Sequence, residues 1–514
     1  MSLDARFVTP REGGPAIQSG DRVRLVEEIG LRSRRAASGL RSMGVGEGDC
    51  IALLLRNDFA FFEATAAAEQ LGAYPVPINW HSTAEEVRYI LDDCGAKVLV
   101  AHRDLLAAIA DAVPPVVTVL TVETPAELLA AYRVAAPART PEHPLWDGWL
   151  SRHAALDAAP HVGNSAVIYT SGTTGKPKGV KRMPDTHGTM TRAAATGYGL
   201  LLEGAKVVLI NGPMYHSAPN SYARFAMAVG ASIVLQPRFD AEQLLAMIEQ
   251  HRVTHMHIVP TMFVRLLRLP DAVKRRYELS SLRFVVHGAA PCPSEIKRAM
   301  IDWWGPVIHE YYGSTETGLV AGHNSKEALD RPGTVGRPFD MVTLRILDDT
   351  GRVLAAGETG DIYVRSADAP VFDYIGRTDE RREIEREGFI TVGDVGYQDA
   401  DGYLFLCDRK RDMIISGGVN IYPAEIEAAL HALPEVRDCA VFGIPDAEFG
   451  EAVCACVQPV EGAAIDVDLL RTALAARLSR FKIPRVIDLV DTLPREDSGK
   501  IFKRKLRERY SPRA

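Results

Sequence analysis

The chain reads as an α/β protein, with a large N-terminal domain of parallel βα subdomains, a small β-rich subdomain, and a small α+β C-terminal domain. Three observations predict this. Apolar runs of strand length alternate with amphipathic stretches of helix length, the rhythm of βα units. From about residue 333 to 407 the pattern turns to short alternating strands with Gly and Asp turns. Beyond the charged run 409–412 a compact mixture of helices and strands begins, so the domains are expected at 1–409 and 410–514. A length of 514 residues also exceeds what one small domain needs.

The elements follow in order. Residues 22–45 form an amphipathic pattern ending at Gly44-Val45-Gly46, and the apolar run 51–55 predicts a buried strand. Helix 59–71 leads into a proline-bearing strand at 73–78, then helix 84–94 and strand 97–101. The stretch 123–163 is rich in Pro and Ala and predicts a chain winding across the surface. The βα rhythm resumes with strands at 207–210, 232–235 and 255–259 and helices at 219–229, 240–251 and 261–268. Strands at 342–347, 360–364 and 403–406 mark the β-rich part, and helix 423–432, strand 436–443 and helix 467–479 the C-terminal domain. No internal repeat or low-complexity tract interrupts this order.

Composition narrows the function classes. The chain is 47% hydrophobic and 24% charged, an ordinary globular balance. A net charge of -7 argues against nucleic acid as the main partner, because phosphate backbones want a basic face. Seven cysteines occur with no C-x-x-C pair, which reads as reduced thiols in a cytoplasmic protein. The N-terminus lacks an apolar signal core, and the longest apolar stretch, 105–122, is broken by Asp111 and two prolines, so no membrane span is expected.

Chemistry concentrates in the run 169–180, YTSGTTGKPKGV, which follows the apolar Ala166-Val167-Ile168. Glycines let the backbone turn tightly and aim N–H groups at an anion, while hydroxyls and lysines add donors and charge. The pattern suits a polyphosphate. It is not a Walker A loop, because Pro177 stands where Ser or Thr would ligate magnesium. A flexible surface turn is the bland alternative.

With this run, four further stretches resemble the adenylate-forming enzymes: acyl-CoA synthetases, peptide-synthetase adenylation domains and beetle luciferases. They are EYYGSTETG at 310–318, TVGDVGY at 391–397, DRKRDMIISGG with NIYPAEIE over 408–427, and PREDSGK at 494–500. They occur in family order and span most of the chain. The resemblance implies an ATP-dependent acid:CoA ligase working in two steps, with ATP, Mg2+ and coenzyme A. An acyl-adenylate and pyrophosphate form first, then the acyl group passes to CoA.

The resemblance also implies roles. Thr170, Ser171, Gly172, Thr173, Thr174, Gly175 and Lys178 would hold phosphates. Lys500 would bridge the substrate carboxylate and the α-phosphate, where cations should converge on two anions. Glu316 would ligate magnesium and Thr315 contact phosphate. Tyr312, beside Gly313, would stack on adenine, lined by Gly288, Ala289, Ala290 and Pro291. Ala289 stands where a second glycine is usual, a swap that matters only if the backbone needs positive φ. Asp394 would accept from the ribose hydroxyls and Arg409 help hold the ribose. The C-terminal domain would be a mobile lid swinging about Arg411, where Asp or Lys is more usual. Gly418 would let pantetheine pass, Phe449 stack on the CoA adenine, and Lys482 and Arg485 meet CoA phosphates.

Pro213-Met214-Tyr215-His216 matches the family segment that opens the acyl pocket; His216 could gate or line it, or pack in the core. Small or neutral residues follow, and with Phe225, Met262 and Leu319 they suit an apolar acid, whether medium- or long-chain, aryl or steroid-like. An inward Arg224 would instead read a second carboxylate. An enzyme loading a freestanding carrier protein is the main alternative, although Tyr215-His216 replaces the aspartate of amino-acid activators. A luciferase-like oxygenase and a non-catalytic nucleotide binder complete the rivals, and the chain could pair as a homodimer.

Overall fold

Cys50–Leu54 is apolar throughout and β-branched in part, and it forms the centre of a parallel sheet buried on both faces. The computed structural model describes residues 14–135, 143–157, 164–170, 177–184, 194–367, 371–410, 412–416, 419–446, 448–463, 465–495 and 501–510. In the first sheet the strand order is Tyr74–Pro77, Cys50–Leu54, Ala96–His102, Thr118–Val122, all parallel.

A second sheet runs parallel through Ala16–Ser19, Ser232–Leu235, Val207–Ile210, His255–Ile258, Phe284–His287 and Ile308–Ser314. Helix Phe59–Gln70 is apolar on nearly every side, as a helix covered all round must be. It shares one core cluster with helix Val26–Ser42 and with residues of both sheets, among them Leu53, Val98, Val208 and Ile233. Gly39 permits the close approach of Trp149, whose ring would lie 2.4 Å from any Cβ there.

The second sheet does not end at Ile308–Ser314. That strand turns into an antiparallel hairpin with Gly318–His323, and the sheet continues through Thr334–Pro338, Leu404–Arg409, Asp394–Gln398 and Gly360–Ser366. The β-rich part is therefore hydrogen-bonded to the βα part rather than attached by a tether. After Arg409 the chain joins another sheet, built from Val419–Ile421, Ile414–Ser416, Gly450–Pro459, Val436–Asp446 and the parallel Val486–Leu489. Ile426, Leu430, Val441, Val453 and Leu474 close its own core.

Two expected elements differ. Residues 22–25 are a strand, paired antiparallel with Ala16–Ser19, because Arg22-Val23-Arg24-Leu25 alternates with period two; the helix begins at Val26. The described parts of 123–163 are not a surface winding. They carry helices Ala126–Tyr132 and Trp146–Leu150, and the indole of Trp146 is buried with its N–H on Glu63, 2.7 Å away. Glu63 also receives Arg24 and Arg32, so a buried carboxylate draws the segment inward. All seven cysteines are free thiols.

Candidate active site

The C-terminal ends of the parallel strands in the second sheet open onto a cavity of about 2280 Å³. Asn211, Val259, Ala289 and Tyr311, each at or just beyond such a strand, line it, and so do Asp408 and Arg409 at the change of sheet.

Strand register builds a polar corner at the cavity's edge; Arg409 lines the cavity, while the expected site residues Asp394, Tyr312 and Gly288 do not. Asp394 and Arg409 face each other across the antiparallel pair, which places the Arg409 Nε 3.2 Å from one carboxylate oxygen. The Tyr312 hydroxyl donates to the other oxygen at 2.6 Å. Burial, then the Asp394 charge, pushes the Tyr312 phenol well above its usual value, so it stays a donor. Asp394 is only 7% exposed, which sets it apart from an ordinary turn aspartate.

Beside this corner, Gly288 packs against Tyr311, whose ring would stand 2.7 Å from any added Cβ. Ala289 has φ +66, the left-handed region, so the backbone there does need the conformation glycine adopts without strain. Ala289, Ala290 and Pro291 are exposed to the cavity.

Thr315 and Glu316 sit at the tip of the 308–323 hairpin. Ser314 and Thr317 clamp that tip, each backbone N–H donating to the other's hydroxyl at 3.2 and 3.0 Å. Gly313 lets the strands close, since a Cβ there would lie 2.1 Å from the Gly318 carbonyl oxygen. The Tyr374 hydroxyl donates to Glu316 at 3.2 Å, and Arg182 donates to the Thr315 carbonyl. One carboxylate beside a hydroxyl fits a hard cation that arrives with nucleotide phosphates. Among the described residues no cluster of three or more His, Cys, Asp or Glu would hold a metal through protein alone.

Thr170 and Lys178 are register partners on the hairpin that borders the cavity. Lys178 is buried, ion-paired with Glu380 and 5.3 Å from the Tyr374 ring centre. Ser171, Gly172, Thr173, Thr174, Gly175, Arg411, Gly418 and Lys500 lie outside the described residues. Arg495 and Ile501 bridge each other antiparallel and both line the cavity.

The loop entering helix Ser217–Ala228 is stapled by two asparagines. Asn57 bonds Gly212 O and Met214 N at 2.8 and 2.9 Å, and Asn220 bonds Met214 O at 3.0 Å. This fixes His216 at the helix N-cap, lining the cavity with Ser217, Ala218, Ser221 and Phe225. Met262 and Leu319 line it as expected, while Arg224 does not; it pairs with Glu69 at 2.5 Å. Sequence reasoning missed the aromatic wall opposite. Tyr198 meets Tyr311 edge-on at 5.6 Å, and the His257 ring nitrogen lies 3.1 Å from the Tyr311 hydroxyl. Burial holds His257 down at about 4 and Tyr198 up at about 12, so both are neutral.

Phe449, Lys482 and Arg485 do not line the cavity. Arg485 stacks 4.5 Å over the Phe449 ring and pairs with Asp446 at 2.7 Å, and Lys482 pairs with Glu425 at 2.6 Å.

With this geometry stand the comparisons. Residues 15–369 match the family model of the AMP-binding enzymes, and 425–500 that of the AMP-binding enzyme C-terminal domain. The chain is 34% identical to a feruloyl-CoA synthase from Amycolatopsis, over 96% of each chain. It is 32% identical to an indoleacetate–CoA ligase from Aromatoleum aromaticum, over 96% of this chain and 95% of the other. Among solved structures, the amide bond synthetase McbA from Marinactinospora thermotolerans superposes with a TM-score of 0.84 at 27% identity, over 97% of both chains. The chain belongs to the AMP-binding enzymes, within the adenylate-forming superfamily. In class it is an AMP-forming acid–CoA ligase that uses ATP and CoA. No described helix is long and apolar enough to cross a membrane.

Proposed function

We propose that the protein activates a compact, apolar aryl acid as its adenylate and transfers the acyl group to CoA. The observation that carries this is one continuous cavity wall. Arg409, which is bonded to Asp394, the Thr315–Glu316 tip and the aromatic pocket of Tyr198, Phe225 and Tyr311 all line it. A nucleotide held at the first would lay its phosphates on the second and meet an acid lodged in the third.

In this reading Asp394 accepts from both ribose hydroxyls, and Arg409 steadies its charge. Tyr312 stacks on adenine across from Gly288–Pro291. Thr315, Thr170, the glycine-rich stretch 171–175 and Lys178 contact phosphate, with Lys178 exchanging Glu380 for the nucleotide. Magnesium, held by Glu316 with the phosphates, supplies charge neutralisation at the leaving group. Lys500 spans carboxylate and α-phosphate. The neutral His257–Tyr311 pair closes the pocket without a charge, as an apolar ring requires. The names of two relatives, a feruloyl-CoA synthase and an indoleacetate–CoA ligase, are in line with an aryl acid. Residues 410–514 would act as the lid, with Gly418, Phe449, Lys482 and Arg485 meeting CoA after it turns.

The test is pyrophosphate release from ferulate, indole-3-acetate, benzoate and dodecanoate, with and without CoA. Turnover of an aryl acid that rises with CoA and yields a thioester is expected. Pyrophosphate without thioester would move the acceptor to a carrier protein, and preference for dodecanoate would overturn the aryl assignment.

A further inference from the structure

The two strands that bring Thr170 and Lys178 to the cavity are held from behind by groups that do not line it. Asp93 closes helix Ala84–Asp93, whose last turn carries no basic residue. A helix C-terminus favours a cation, so a carboxylate there costs the helix and has its use in contacts elsewhere. Arg377 lies across both of its oxygens, with Nη2 at 2.8 Å from one and Nη1 at 3.5 Å from the other. The Tyr169 hydroxyl donates to the second oxygen at 2.7 Å. The Tyr89 hydroxyl accepts from Arg377 at 2.5 Å and donates to the Pro177 carbonyl at 3.0 Å.

Tyr169 precedes Thr170 on one strand and Pro177 precedes Lys178 on the other, so the Asp93–Arg377 pair reaches both edges of the hairpin. Gly179 makes room for this, because it is the register partner of Tyr169 and a Cβ there would lie 2.9 Å from the tyrosine ring. Arg377 also belongs to the segment that covers the hairpin. Strand Phe372–Tyr374 pairs antiparallel with Lys178–Arg182 and puts the Tyr374 hydroxyl on Glu316 at 3.2 Å. The Arg377 Nε lies 3.8 Å from Glu380, the ion-pair partner of Lys178. One pair of side chains, 284 positions apart, thus ties together the supports of Thr170, Lys178 and Glu316. At 13% and 21% exposed, Asp93 and Arg377 are screened less than a surface pair.

We propose that the Asp93–Arg377 pair is the positioning element of the triphosphate site. It touches no substrate. It sets Thr170, Lys178 and Glu316 before ATP arrives, so those groups need little rearrangement when the outer phosphates and magnesium settle among them. Arg377 stays beside Glu380 when Lys178 leaves that carboxylate for the nucleotide, and Glu380 keeps a cation for a neighbour. The Asp394 corner is built by other partners, Tyr312 and Arg409, so a nucleotide without the outer phosphates should be indifferent to the pair. The inference rests on the assignment of Thr170, Lys178 and Glu316 made above.

The experiment titrates ATP with magnesium, and separately AMP, into the wild type, Asp93→Ala, Arg377→Met and the double variant by calorimetry. No acid is present, so ATP stays whole. In either single variant the Kd for ATP should rise about tenfold to a hundredfold, the cost of losing a group that orients a ligand-contacting residue, while the Kd for AMP stays within about twofold. The double variant should be no worse than the poorer single one, because both changes remove the same brace. A Kd for ATP that does not move, or an equal rise for AMP, overturns the proposal; the second result would make the pair a general brace of the fold. Where Asp93→Ala does not fold, Tyr169→Phe removes one bond and no charge, and a rise of about threefold to tenfold for ATP alone is expected instead. A wild type that binds no ATP would sink the nucleotide assignment itself, whereas the variant-to-wild-type ratios decide the pair.

Discussion

The Tyr312–Asp394–Arg409 corner and the basic residues of the C-terminal unit carry similar groups, a carboxylate, an aromatic ring and a cation, yet they are built differently. At the corner, Asp394 is buried and bonded on both oxygens by groups that strand register places there. In the C-terminal unit Arg485 is half exposed, lies on Phe449 and is already neutralised by Asp446, as Lys482 is by Glu425. The first arrangement is preorganised, so its polar groups need no rearrangement before a ligand arrives. The second is a set of surface pairs, individually worth about 0–1 kcal/mol, that must exchange partners to bind anything.

The corner is further braced from behind. Glu310, two residues before Tyr312, is buried with Lys297 and His323, and His287 lies 3.7 Å away. Removing the carboxylate in Glu310→Ala leaves a buried lysine uncompensated, and a loss of about 3–5 kcal/mol in unfolding free energy is expected from denaturant titration. A loss below about 1 kcal/mol would show that the brace is slack. Next in size, Asp394→Asn removes the charge opposite Arg409. It should lower kcat/KM for ATP about 30- to 300-fold, or about 2–3 kcal/mol, with the KM for the acid far less affected. An ATP KM equal to wild type would take Asp394 out of the nucleotide site.

Acid should loosen the buried groups behind the corner and along the aromatic wall. Burial pushes the Glu310 carboxyl up, but the Lys297 ammonium and His323 outweigh it and hold it at about 2. A depressed carboxyl gives stability that is present above its unfolded value of 4.5 and lost as pH falls toward 2. His287 and His257, buried and held at about 3 and about 4, are neutral in the fold and protonated when unfolded below 6.5. They too cost stability as pH drops from 6.5, about 1–2 kcal/mol each by pH 5.5. The thermal midpoint should therefore fall between pH 7.5 and 5.5. A flat profile would mean that these histidines titrate normally.

What the sequence made legible follows the range of the interactions. Strands Val207–Ile210 and Ser232–Leu235 fall where their apolar runs placed them, because a fully buried parallel strand writes itself as a continuous apolar segment. The stretch 310–318 was legible only as a motif; the turn that Ser314 and Thr317 clamp within it was not read. Residues whose meaning depends on distant partners were not legible. Arg182 meets Thr315 across 133 positions, and Trp146 is drawn inward by Glu63 across 83. The strand at 22–25 was hidden because its alternation is only four residues long and runs straight into a helix. The aromatic wall gave no local signal, for Tyr198, His257 and Tyr311 come from three separate segments.

Ala289 tests how much strain a preorganised corner tolerates. It occupies the left-handed region at φ +66 with its side chain toward the cavity. Ala289→Gly relieves a conformational cost of about 1–2 kcal/mol, offset in part by the greater freedom of glycine in the unfolded chain. A net stabilisation of about 0.5–1 kcal/mol is expected, with ATP binding unchanged. Destabilisation would mean that the alanine methyl packs on something worth more than the strain.

The smallest effect belongs to the other side of the comparison. If Arg485 reaches a CoA phosphate only after leaving Asp446, the gain from one pair largely cancels the loss of the other. Arg485→Ala should then raise the KM for CoA about threefold and leave acid-dependent pyrophosphate exchange at the wild-type rate. A rise of about thirtyfold or more would place a desolvated, prebuilt phosphate site in the C-terminal unit and erase the contrast with the Asp394 corner. No change at all would leave Arg485 as the partner of Asp446 and Phe449 alone.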